Sequence, residues 1–331
     1  MKIDPKPCVV LVNLGTPEQP EPPAVRRYLR QFLSDRRVVE THPALWRPIL
    51  EGIILRVRPR ASAAKYQQVW GEHGSPLMHF TVRQAEEVDR QLEGRVEVRH
   101  AMRYGQPSVG AVLQQLHDEG FRRLLLVPLY PQFSATTSAT VTDEVARWSI
   151  RSRDQFELRQ LRSFPTHDGY VSALVEAIKG HWEHRGRPDF AAGDRLVLSY
   201  HGIPVSMAEA GDPYPSECTA TTEAVRARLG LGPDQVLHTY QSVFGPAEWL
   251  KPATIDTVAA LGKRGTRRVD VICPGFVSDC LETLEEIDME NRTAFVEAGG
   301  DEFHYLPWGN DRQPWTRALS NLVQESLTGW L

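Results

Sequence analysis

Short apolar runs of strand length recur along the chain, separated by stretches in which apolar residues return every three or four positions. A first series lies near Val9 to Val12, Val96 to Met102, Leu124 to Pro128 and Glu157 to Leu161. A second lies near Leu196 to Tyr200, Val236 to Val243, Val269 to Cys273 and Glu302 to Leu306. The periodicity between them predicts amphipathic helices such as Val109 to Glu119, closed by Gly120, and Tyr170 to His184. Strands alternating with helices predict right-handed βαβ crossovers and parallel sheets, so the simplest account is two α/β/α units of four strands each.

The two series read as copies of one unit. Val9-Val-Leu-Val-Asn-Leu14-Gly-Thr-Pro17 matches Leu196-Val-Leu-Ser-Tyr-His201-Gly-Ile-Pro204, pairing Val10 with Val197, Leu11 with Leu198 and Gly15 with Gly202. The match breaks where the first copy has Leu14 and the second has His201. Carboxyl ends of strands in open parallel sheets border the ligand crevice, so His201 is expected at a crevice. The copies also differ in spacing: Val9 to Val96 is longer by 47 residues than Leu196 to Val236. The insertion, about residues 20–74, carries Phe32, Leu33, Trp46, Ile49 and Ile53 among arginines that include Arg36 and Arg37. It is expected to form a mobile, largely apolar lip over the crevice, with contact to an anionic lipid surface as the weaker part of that expectation; extra helices packing on their own sheet are the alternative.

At 331 residues the chain exceeds one ordinary core, and two domains are expected, 1–162 and 163–307, followed by a C-terminal helix at 308–331 packing across them. A net charge of −4 with interspersed signs gives no basic field of the kind nucleic acid requires. No apolar run approaches the roughly 20 residues of a membrane span, and Met1-Lys-Ile-Asp-Pro lacks the apolar core of a signal peptide, so a cytoplasmic location is expected. Cys8, Cys218, Cys273 and Cys280 form no C-x-x-C pair. Reduced, mostly buried thiols are expected, and neither a zinc knuckle nor a conventional iron–sulfur site.

The stretch from Val269 to Glu290 carries the second chemical signal. A strand ends at Cys273, a loop follows and a helix begins near Asp279, which places Glu282 in its first turn at the same sheet edge as His201. Asp279-x-x-Glu282 is equally a capping box in which Glu282 only satisfies a backbone N–H. Glu282, Glu286 and Glu290 recur every four residues, and such a row drifts by roughly 40° per step on an α-helix. A π segment between about Leu281 and Glu290 would straighten it into a carboxylate track for a cation; a solvated acidic face is the commoner explanation of the spacing. His and carboxylate together suit a borderline divalent ion or proton removal. There is no G-x-S-x-G, and neither first turn has the glycine spacing of a phosphate cradle. The residues therefore predict a metal or proton-transfer site in a cleft between two related domains.

The chain resembles ferrochelatase, the family that inserts ferrous iron into protoporphyrin IX. The resemblance rests on Leu11-Val-Asn-Leu-Gly-Thr-Pro17, Gly74-Ser-Pro-Leu77, Met102-Arg103-Tyr104-Gly, Tyr130-Pro-Gln-Phe-Ser134, Leu198-Ser-Tyr-His201-Gly-Ile-Pro204, Gly211-Asp-Pro-Tyr214, Gln241-Ser242-Val-Phe-Gly-Pro246 with Trp249-Leu-Lys-Pro252, and Phe276-Val-Ser-Asp-Cys-Leu-Glu282. It implies two Rossmann-like α/β/α domains with four-stranded parallel sheets, and His201 and Glu282 as metal-binding and proton-accepting groups. Glu286 and Glu290 would extend the metal track. Leu14, Arg103, Tyr104, Tyr130, Ser242 and Trp249 are implied as porphyrin contacts, and Leu14, where members acting on coproporphyrin carry Tyr, favours protoporphyrin. Position 280 is Cys where many relatives have His, so no imidazole relay transfers to it. No cysteine follows Cys280, so the [2Fe-2S] cluster of some members is not expected. Fe(II) is implied as substrate, with the inner membrane face and an upstream protoporphyrinogen-oxidising enzyme as expected contacts. A chelatase for another tetrapyrrole or metal, and a non-catalytic porphyrin or haem carrier, are the rival readings.

Overall fold

The computed structural model describes residues 6–331; Met1 to Pro5, where no leader is expected, lie outside the described residues. The chain divides into two compact units, one formed by 1–163 with 319–331 and the other by 164–318. The first unit contains β1 (Cys8–Gly15), β2 (Glu97–Tyr104), β3 (Arg123–Pro128) and β4 (Glu157–Gln160), all parallel in the order β2-β1-β3-β4. The second contains β5 (Arg195–His201), β6 (Val236–Gln241), β7 (Arg268–Ile272) and β8 (Glu302–Tyr305), all parallel in the order β6-β5-β7-β8. All eight strands fall where the apolar runs predict them, and the shared order makes the units copies of one topology.

Parallel strands covered on both faces must be apolar throughout, which is why Cys8 to Val12 and Leu196 to Leu198 read as unbroken runs and are wholly buried. Helix Val109–Glu119 starts on the Ser108 hydroxyl, which accepts the Ala111 N–H at 3.3 Å, and stops at Gly120, whose φ of 103° few other residues adopt. The four cysteines are free and buried, and burial pushes the Cys8 thiol up to about 12. Among the described residues no helix is long and apolar enough to cross a membrane.

The insertion corrects one expectation. Helix Pro22–Leu33 carries Val25, Tyr28, Leu29, Phe32 and Leu33 on one stripe, and such a stripe needs a partner. It finds one within the insertion itself: Leu50, Leu55 and Ala63 close a cluster with Tyr104, against which Leu14, Phe32 and Trp46 pack. Leu33 is buried, Phe32 meets Tyr104 edge-on at 5.1 Å, and the Trp46 indole donates to the Leu33 carbonyl at 2.7 Å. Leu33 is therefore a core residue of the first unit, and Phe32 packs half-buried against that core. Arg37, one of the insertion's arginines, is forked onto Asp143 at 2.6 and 2.9 Å. The apolar side chains that do face solvent are Leu45, Ile49, Ile53 and Val57.

Candidate active site at the edge of the second sheet

Alternation along β5 puts Val197, Ser199 and His201 on one face, and His201 pairs in register with Gln241 at the end of β6. The His201 Nδ1 lies 2.7 Å from the Gly202 carbonyl oxygen. A carbonyl only accepts, so Nδ1 carries the proton and Nε2 keeps its lone pair. Gly202 has no room for a side chain: a Cβ there would stand 2.9 Å from the Gln241 carbonyl oxygen and 3.2 Å from the Trp249 ring. Trp249 thus packs beside the histidine turn, its indole N–H donating to the Phe244 carbonyl at 2.9 Å. Phe276, 6.4 Å between ring centroids, flanks the imidazole.

After β7 the chain enters a π-helical segment, Glu282–Asn291, as the glutamate row predicts. Its start is fixed by a buried cluster. Asp279 accepts from the Thr283 hydroxyl at 2.9 Å and the Asn310 amide at 2.7 Å, while the Asp279 N–H donates to Asn310 Oδ1 at 2.8 Å. A capping box would give that N–H to Glu282; Asn310 has taken it, so Glu282 does not serve as the cap. The Cys280 thiol is buried and pushed well above its usual range by that burial, with the nearby Glu282 charge adding to it.

Glu286 is the most firmly held carboxylate of the row. Its Oε1 accepts the Ser242 N–H at 2.6 Å, and its Oε2 accepts the Ser242 hydroxyl and, at 3.3 Å, the Gln241 amide. The same amide donates to the Glu282 backbone carbonyl at 2.9 Å. Ser242 adopts φ 67°, an uncommon conformation for a residue with a side chain, and so turns both its donors onto one carboxylate. Gln241, itself buried, is oriented from below: its Oε1 accepts the Ser199 hydroxyl at 2.8 Å, Ser199 meets the Thr254 hydroxyl at 2.7 Å, and Thr254 in turn meets that of Thr239 at 2.8 Å. Burial raises the Glu286 carboxyl above its ordinary value and the Glu282 charge adds to this, against the opposing pull of the Ser242 bonds and His201. A raised carboxyl beside an imidazole lone pair can receive a proton and pass it on. Glu282 and Glu286 are half-buried and Glu290 is exposed, so the row leads toward solvent. His201, Glu282 and Glu286 do not draw within 4.8 Å of one another.

The sequence-predicted residues of the first unit gather around a different centre. Arg103 and Tyr104, both buried, share Asp35: the guanidinium pairs with it and the Tyr104 hydroxyl donates to it at 3.0 Å. Arg103 also donates to the Thr140 carbonyl at 2.8 Å and lies 4.4 Å from the Tyr104 ring centroid. Burial pushes the Tyr104 phenol above its usual range, so it stays a neutral donor. Leu14 is half-buried at the end of β1, against the insertion's cluster. Tyr130 packs on the cluster formed by Val10, Val112 and Leu126, and its hydroxyl is buried with no hydrogen-bond partner among the described residues. The structure thus unites His201, Glu282, Glu286, Ser242 and Trp249 at one edge of the second sheet, and Arg103 and Tyr104 around Asp35. Sequence reasoning missed Gln241 and Asp35. The available signal for Gln241 was the run of small polar residues, Ser199, Thr239 and Gln241, inside otherwise apolar strands.

The family model for ferrochelatase matches residues 6–327. A ferrochelatase of Dechloromonas aromatica (strain RCB) is 50% identical over 326 residues, covering 98% of this chain and 88% of that one. One of Methylibium petroleiphilum is 51% identical over 326 residues with the same coverage. Among solved structures, SirB from Bacillus subtilis with Fe3+ superposes with a TM-score of 0.56 at 13% identity, covering 97% of this chain and 95% of that one, a likeness of fold alone.

Proposed function

The chain belongs to the ferrochelatase family, and from that premise we propose that it inserts Fe(II) into protoporphyrin IX to form protoheme, the terminal step of haem biosynthesis. A planar porphyrin points four nitrogens inward and holds two N–H protons, so an approaching cation meets a steric and a protonic barrier. Binding energy from the macrocycle can offset the strain of bending the ring and exposing a lone pair. His201 Nε2 takes a pyrrole proton; the Nδ1–H bond to Gly202 holds the ring in place and strengthens once the imidazolium forms. Glu282 meets the Fe(II) substrate, while Glu286 receives protons and Glu290 hands them to solvent. The observation that carries this reading is the π segment, which sets Glu286 on Ser242 and Gln241 beside His201.

The iron enters already ferrous, so the reaction requires no redox cofactor. Trp249, packed on the histidine turn, is assigned to macrocycle contact. Ser242 is assigned to holding Glu286. For Leu14, Arg103, Tyr104 and Tyr130 the assignment to porphyrin binding rests on the family resemblance.

A peripheral membrane contact belongs to the same reading. Leu45, Ile49, Ile53 and Val57 recur every four residues and are 67%, 42%, 58% and 68% exposed. The π turn Leu50–Ile54 lies within the row and counters the roughly 40° drift per step that an α-helix would impose. Exposed Arg47, Arg56 and Arg60 accompany it, a combination suited to the interface of anionic lipid.

Anaerobic incubation of the protein with Fe(II) and, in turn, protoporphyrin IX, coproporphyrin and sirohydrochlorin tests the function. The haem spectrum is expected with protoporphyrin IX. Turnover confined to one of the other two would make the chain a different chelatase, and binding without turnover would make it a carrier.

A further inference from the structure

On the face of the second sheet opposite His201, three metal-ligating side chains meet that the haem-forming reaction does not use. Val269, Val271 and Phe303 point into the cluster beneath the π segment, so alternation turns Arg268, Asp270 and His304 the other way, under helix Asp168–Arg185. Asp270 and His304 are register partners on β7 and β8, and His181 comes down from the helix. His304 Nδ1 lies 3.2 Å from His181 Nε2 and 3.1 Å from Asp270 Oδ1, and all three atoms lie within 4.8 Å of one another.

One proton does not satisfy this arrangement. If His304 Nδ1–H points at Asp270, the His181 lone pair is left with a shared donor at best. If His304 accepts from His181 instead, its own lone pair confronts a carboxylate. One divalent cation would satisfy all three atoms. Donors on a tetrahedral ion with bonds of about 2.0–2.1 Å stand about 3.3 Å apart, close to the spacing found. The carboxylate is already aimed: Arg268 grips both its oxygens at 2.8 and 2.9 Å, and the Trp182 indole donates to Oδ2 at 2.7 Å, the outer support that metal-bound carboxylates receive. Asp270 is wholly buried, whereas His181 and His304 are only partly so, which leaves a side open to water.

We propose that His181 Nε2, His304 Nδ1 and Asp270 Oδ1 form a second divalent-metal site, separate from the haem-forming centre, for a borderline ion of the Zn(II) or Co(II) type with water completing its shell. The Arg268 charge opposes the ion and makes the site a reversible one, not a permanent structural cage.

Anaerobic titration with Co(II) alone, followed by its visible absorption and by equilibrium dialysis, tests the site. Wild type should bind one equivalent that survives His201→Ala and is lost in His181→Ala and in His304→Ala. Trp182→Phe, which removes only the outer bond to Asp270, should retain the site with about tenfold weaker affinity. Haem formation close to wild type in the histidine variants reports that they fold. The histidine side-chain NMR signals of wild type give a readout independent of how the variants fold: Zn(II) should shift those of His181 and His304 together. Equal Co(II) stoichiometry in wild type and folded variants, or no Zn(II)-dependent shift at these two rings, would overturn the proposal and leave a hydrogen-bonded histidine pair.

Discussion

His201 works through what its neighbours leave it. The Gly202 carbonyl takes Nδ1, Trp249 and Phe276 limit the ring, and Nε2 is left as the free lone pair. Gln241 plays the corresponding part for Glu286, because the hydroxyl of Ser199 fixes its oxygen and thereby turns its amide to the glutamate. Gln241→Leu removes that donor and leaves buried hydroxyls unpaired. It should lower kcat by about tenfold, the usual scale for losing an orienting partner, while the KM for porphyrin holds. Steady-state kinetics decides it, and a raised KM with unchanged kcat would move Gln241 from proton handling to substrate binding.

Two π segments organise the elements that matter, and they differ in how far the sequence announces them. Glutamates at 282, 286 and 290 share a spacing that only a wider turn aligns, so that segment was legible. The turn at Leu50–Ile54 aligns apolar residues, whose spacing looks like any helix stripe, and it was not. The inner strands such as β1 and β3 were legible because parallel strands buried on both faces have no choice but apolar runs. Leu33 was misjudged for a related reason: an amphipathic stripe states that it needs a partner and not which partner, and Leu50 and Leu55 lie in the same insertion. Gln241 and Asp35 were invisible because their roles come from contacts across distant strands and loops. At this scale Glu282→Gln is informative. Asn310 already occupies the Asp279 N–H, so the thermal midpoint should stay within a few degrees while activity is lost; a large fall in midpoint with specific activity kept would return Glu282 to a structural role. For the exposed row, Leu45→Ser with Ile53→Ser should abolish co-sedimentation with anionic phospholipid vesicles and leave turnover of detergent-dispersed porphyrin intact. Undiminished sedimentation would remove that row from the membrane account.

The whole molecule is one topology used twice, with the reactive imidazole in only one copy: Leu14 and His201 close equivalent strands. The second copy also stores a pH sensitivity. His238 stacks on Tyr200 at 4.8 Å, its Nε2 is buried without a partner among the described residues, and burial, with Arg226 nearby, lowers it from 6.5 to about 4. Between those values the unfolded chain binds the proton and the folded chain does not. Its contribution to stability is therefore complete above about pH 6.5 and is lost as pH falls toward 4, on the order of 3 kcal/mol at most. Denaturant unfolding across that range should show a shallower pH slope for His238→Phe than for wild type; identical slopes would place the acid sensitivity elsewhere. The central claim is that His201 removes a pyrrole proton so that Fe(II) can enter the ring, and its most direct test compares wild type with His201→Ala under anaerobic conditions, with protoporphyrin binding followed by fluorescence and haem by absorbance. The account predicts that the variant binds porphyrin as wild type does and forms no haem; haem formation near the wild-type rate would contradict it.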